Sequence, residues 1–123
     1  MNGSGPIDHQ QVRVNDREQL IYLLTEAAEI EPGLMCTYLY PGWSLKRACE
    51  EGVTPEQLAA IGRWRATIRS VAMEEMVHLA MVNNMLMSIG SPPHFRRQNS
   101  PVPAGYHPSS LVVRLAPMKR DTL

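Results

Sequence analysis

Between Thr54 and Gly90 the sequence predicts one helix of about 35 residues, roughly 50 Å long at 1.5 Å per residue. Thr54-Pro55-Glu56-Gln57 combines an N-capping hydroxyl, a proline at the first helical position and a capping-box glutamine. Leu58, Ile61, Ile68, Ala72, Leu79, Val82 and Leu86 keep to one side of this helix, and Ile89-Gly90 ahead of Pro92-Pro93 offers a left-handed cap and a stop. A chain of 123 residues cannot enclose a rod of that length, so the helix has to lie against another long one.

The partner helix is expected over residues 15–47. Asn15 and Glu18 have capping-box spacing, and Leu20, Leu24, Ala27, Leu34 and Tyr38 fall within about 40° of one direction. Pro32-Gly33 interrupts its middle and Pro41-Gly42 its end, so a kink is expected near residue 32. The expected fold class is all-α: a single domain built as a long antiparallel hairpin of helices at 15–47 and 54–89. A flexible arm over 1–14 precedes it, and a Pro-rich loop or extended tail over 91–123 follows. Within that tail "LVVRLAP", 111–117, reads as a short extended segment. Tyr38 and Trp64 are expected in the core, and the eight methionines are expected to fill part of it.

Charge and composition exclude several functions. Twelve Lys+Arg balance twelve Asp+Glu and leave no basic stripe, which argues against nucleic acid as a partner. No run approaches the roughly twenty apolar residues of a membrane span, and MNGSGPIDHQ lacks the apolar core of a leader, so the default location is cytoplasmic. Cys36 and Cys49 have neither CxxC nor His-paired spacing and read as free core thiols.

The informative residues are acids on the apolar faces. At 100° per residue Glu31 lies about 20° from the centre of the first stripe, whereas Glu26 lies about 120° and Glu29 about 180° away. On the second helix Glu75 points inward and Glu74 outward, and His78 stands three residues after Glu75, within reach of the same point. Glu26, Glu29 and Glu74 are therefore expected on solvated faces, and His94 and His107 at the surface of the Pro-rich tail.

Antiparallel packing brings Glu31 and Glu75 to the same depth, about 22 Å from one end of the hairpin. Two level carboxylates in an apolar seam need a counter-charge, and no Lys or Arg stands on either stripe near them. A cation is the simplest remedy. Hard oxygens with one imidazole suit Fe, Mn or Zn, and a Glu on one helix with Glu-x-x-His on the next is half of the di-iron carboxylate pattern of four-helix bundles. Glu31, Glu75 and His78 are the candidate metal ligands; no catalytic residue is assigned.

The stretches "AAEIEPGLMCTYLYPGWSLK", "VAMEEMVHLAMVNNMLMSIGSPPHF" and "PVPAGYHPSSLVVRLAP" resemble the ferritin-like domain family that includes the iminophenyl-pyruvate dimer synthases of bis-indole pigment pathways. The resemblance covers about residues 16 to 117 and implies Glu31, Glu75 and His78 as ligands, the same three. Pro32 stands where the family usually has histidine, and Pro41-Gly42 where a helix-favouring pair is usual. Members of the family continue past the "VRLAP" segment into two further helices that carry the remaining carboxylates and a second Glu-x-x-His. The resemblance thus implies the N-terminal half of a bundle, completed by a second copy in a homodimer or by a complementary chain.

Two functions follow. One is a non-haem di-iron (or di-manganese) oxidoreductase acting on a small organic substrate. The alternative is a non-catalytic interaction module that forms a helical dimer without metal. Iron storage is the weakest reading, because nothing in the sequence specifies a cage.

Overall fold

A computed structural model describes residues 13–101 and 114–119. Two long helices, α1 (Arg17–Ser44) and α2 (Pro55–Ser88), pack along each other, and among the described residues there is no strand. They run antiparallel: at one end the guanidinium Nε of Arg17 donates to the carbonyl of Ile89 at 2.8 Å, and further along Gly42 meets Ile68. A Cβ on Gly42 would stand 3.3 Å from Ile68 Cγ2, so the helices approach closely there.

Local chemistry sets the ends. Asp16 caps α1 by accepting from the amide of Gln19 at 2.7 Å, one residue later than the expected Asn15 cap. Asn15 is still engaged, because its amide donates to the Gln19 side chain at 2.9 Å. The helix ends at Ser44 rather than 47, where Leu45 turns extended. The carboxylate of Glu51 takes the amides of Arg47 and Ala48, which draws this stretch into a short 3₁₀ turn, Cys49–Glu51.

Helix α2 has the expected reciprocal cap: the amide of Thr54 donates to Gln57 at 2.9 Å and the amide of Gln57 to Thr54 at 3.2 Å. At its far end Ser91 N donates to Leu86 O and Gly90 N to Met87 O, both at 3.0 Å. Gly90 holds φ 75°, which completes a Schellman turn that only glycine adopts without strain.

Both prolines of α1 lie inside continuous helix, and Pro32 is buried in the seam. Each leaves a backbone carbonyl without its helical donor, yet neither breaks the element. The buried line comprises Ala28, Pro32 and Gly42 on α1 with Ala72, Glu75, Val82, Asn83 and Leu86 on α2.

Two helices bury only the strip along which they touch. Tyr38 and Trp64, expected in the core, are 37% and 54% exposed, and Met73, Met81, Met85 and Met87 are also exposed. Cys36 is half-buried and Cys49 exposed, both as free thiols. Residues 114–117 form no strand, and Met118 ties back to α1 by donating its amide to Ser44 Oγ at 2.9 Å. Residues 1–12 of the arm expected over 1–14, residues 111–113 of the extended segment and His107 lie outside the described residues. No helix among the described residues is long and apolar enough to cross a membrane.

Candidate metal centre

Glu31 lies near the middle of α1, and Glu75 and His78 occupy successive turns of α2, where an i,i+3 spacing puts both side chains over one spot. The antiparallel packing brings Glu31 level with them. One oxygen or nitrogen from each of the three lies within 4.8 Å of the others. Imidazole Nδ1 of His78 stands 3.2 Å from Glu75 Oε2 and 3.5 Å from Glu31 Oε2.

Burial grades across the cluster. The Glu75 and Glu31 side chains are 11% and 17% exposed, while that of His78 is 52% exposed, so the histidine forms the open side. Glu31 Oε2 is fully buried and accepts no hydrogen bond. Its 3.5 Å approach to Nδ1 is an electrostatic contact only: Nδ1 carries at most one hydrogen, and Glu75 is the nearer acceptor.

The electrostatics follow from that crowding. Burial, then the hydrogen bond and charge of Glu75, raise the Glu31 pKa above the ordinary 4.5, and His78 offsets only part of this. The hydrogen bond to Glu75 in turn holds His78 above 6.5, against some loss of solvation. Among the described residues neither acid is paired with Lys or Arg. With both acids ionised, one imidazolium answers only one of the two charges, and Glu31 Oε2 stays buried without a donor.

That surplus fits a divalent cation. With His78 neutral, two carboxylates would balance a 2+ ion, and the orphaned oxygen is available as a ligand atom. The donor set of two oxygens and one nitrogen suits Fe, Mn or Zn.

The other acids and histidines divide differently from expectation. Glu74 is exposed and Glu26 half-buried. Glu29, expected on a solvated face, has a side chain only 13% exposed, and its Oε1 lies 2.8 Å from Nε2 of His94, itself expected at the surface. Gln98 reaches the other Glu29 oxygen at 3.4 Å.

The cause is Asn83, which is 4% exposed. Its side chain accepts from the amide of His94 and donates to the His94 and Leu79 carbonyls at 3.1 Å each. It thereby pins the chain after Pro92-Pro93 across α1. An asparagine directly after Val82 on the apolar stripe, followed by a proline turn, was the available signal for this fold-back.

Residues 24–123 match the sequence model of the Ferritin-like family, most of the chain. The chain belongs to the ferritin-like family. Over 96 residues it is 32% identical to a 2-imino-3-(indol-3-yl)propanoate dimerase of Chromobacterium violaceum, a match covering 65% of this chain and 10% of that protein. Over 97 residues it is 35% identical to a dichlorochromopyrrolate synthase of Lentzea aerocolonigenes, covering 66% of this chain and again 10% of the relative. This ferritin-like chain thus spans about a tenth of the length of the curated relatives it matches. No solved structure matches it.

Proposed function

We propose that this ferritin-like chain is a metal-binding half-bundle of a non-haem di-iron (or di-manganese) oxidoreductase that acts on a small organic substrate. The observation that carries the reading is the buried, donorless Glu31 Oε2 facing Glu75 and His78. Glu31, Glu75 and His78 would hold the metal, which when bound supplies redox chemistry toward oxygen or peroxide.

Each residue has a task of its own. Glu31 and Glu75 bring the negative charge, and the helices that carry them hold it level. His78 loses its Nδ1 proton to serve as a ligand, and it lies at the exposed side where substrate and solvent arrive. One relative is named for dimerising 2-imino-3-(indol-3-yl)propanoate and the other for making dichlorochromopyrrolate, and a small aromatic, amino-acid-derived substrate is proposed here.

A second half-site is needed, from another copy of the chain or from a complementary polypeptide. Around α1 Tyr38 lies within about 20° of Glu31, and around α2 Trp64, Met81 and Met85 lie within about 60° of His78. These exposed apolar residues flank the open side of the cluster, where two further helices would cover them. A cytoplasmic setting would keep Cys36 and Cys49 reduced.

Elemental analysis combined with native mass tests the proposal. About two irons per dimer are expected, as in bundles with two half-sites. A metal-free dimer would sink the enzyme and leave the interaction module.

A further inference from the structure

A second feature lies away from the acids. Near the connector end a half-open groove of about 320 Å³ is walled by Leu39, Trp43 and Ile68 and edged by Arg47, Arg65 and Arg69. On α2, Arg65 and Arg69 stand about 140° and 180° around the helix from His78. On α1, Trp43 stands about 120° from Glu31. The groove therefore opens on the opposite flank from the metal candidate.

Its charge is only partly compensated. No acidic residue lines the groove, and among the described residues none of the three guanidinium groups is ion-paired. Glu51, whose carboxylate is engaged by the backbone amides of Arg47 and Ala48, offsets part of the Arg47 charge and leaves those of Arg65 and Arg69. Arg65 is anchored, since its Nη2 donates to the Lys46 carbonyl. A guanidinium fixed at a groove edge is preorganised for a carboxylate.

We propose that this groove binds a small aromatic carboxylate, with the ring against Trp43, Leu39 and Ile68 and the carboxylate between Arg65 and Arg69. An inorganic anion would leave the apolar wall unused, and a neutral ring would leave Arg65 and Arg69 unanswered. The volume lies at the small end of ligand pockets, enough for one bicyclic acid. The site is independent of the metal reading, because none of its residues belongs to the acid cluster.

The test follows the indole N–H signals of Trp43 and Trp64 by NMR in the full chain, titrated with 1-naphthoate, its uncharged amide 1-naphthamide, and inorganic phosphate. Saturable shifts of Trp43 alone with 1-naphthoate are expected, with the amide weaker by about tenfold or more and phosphate weaker still. Arg69→Gln and Arg65→Gln should each weaken 1-naphthoate by about tenfold with helicity unchanged. Arg65→Gln also removes the bond to Lys46, so if it unfolds, the exposed Arg69 decides. Equal binding of acid and amide, phosphate binding as tight as 1-naphthoate, or unchanged affinity in Arg69→Gln overturns the proposal. Metal-loaded and metal-free protein should bind alike, so failure of the metal reading leaves this result unaffected.

Discussion

Two histidine–carboxylate groups flank helix α1, and they keep opposite accounts. At Glu29 and His94 one acid meets one imidazole at 2.8 Å, Gln98 attends the second oxygen, and Asn83 holds the histidine backbone. At Glu31, Glu75 and His78 two acids share one imidazole, and a buried oxygen is left without a donor. The residue types are identical. The first group is a finished structural latch, whereas the second has acceptor capacity and negative charge to spare, and that surplus is what a cation needs.

The largest contrast should come from removing one acid at each place. Glu75→Ala is expected to lower metal affinity by about a hundredfold or more, while Glu29→Ala leaves metal content unchanged; elemental analysis after dialysis reads both. Equal loss of metal in the two variants would erase the distinction drawn here.

Stability should divide the other way. Asn83→Ala strips the His94 backbone of its buried partners and is expected to cost about 2–3 kcal/mol in thermal or denaturant unfolding, with metal stoichiometry intact. In the metal-free protein Glu31→Gln should be neutral or stabilising, because it removes a carboxylate that burial already disfavours.

Acidity offers a finer test. Glu31 is raised above 4.5 and His78 above 6.5, so the folded state prefers both protonated. Their contributions are fully present below those values and fade as pH rises through the folded values. Metal-free protein should therefore lose stability from Glu31 as pH rises above 4.5 and from His78 as it rises above 6.5. Metal binding requires the deprotonated forms, so added Fe(II) or Mn(II) should stabilise more at the higher pH, as melting curves on either side of these values would show. The smallest effect is expected from Arg17→Ala, about 0.5–1 kcal/mol in the same melts, for one exposed bond to Ile89 at the far end of the hairpin.

What could be read in advance was whatever depends on local chemistry or regular rise. Thr54 to Gln57 and Gly90 announce the ends of α2 because caps are written in adjacent residues. Glu31 and Glu75 come level because a helix advances by a constant step. Asn15 and Asp16 are chemically near-equivalent caps, so the choice between them was not legible. The early end of α1 depends on Glu51 reaching back from beyond it. The Glu29–His94 contact joins positions 65 residues apart through a turn whose direction only packing decides. Tyr38 and Trp64 were misplaced because a helical stripe tells which way a side chain points and says nothing of what stands opposite.

The donorless oxygen of Glu31 also has a thermodynamic reach. An ion that binds the folded, assembled form but not the unfolded chain adds stability by mass action, about 2.7 kcal/mol at a hundredfold excess over its dissociation constant. If the ligand set is divided between two halves as proposed, loading and association would be linked equilibria, each drawing the other forward. The quantity of assembled protein would then track the supply of metal, and scarcity would be answered by dissociation before any change in the fold of a single hairpin.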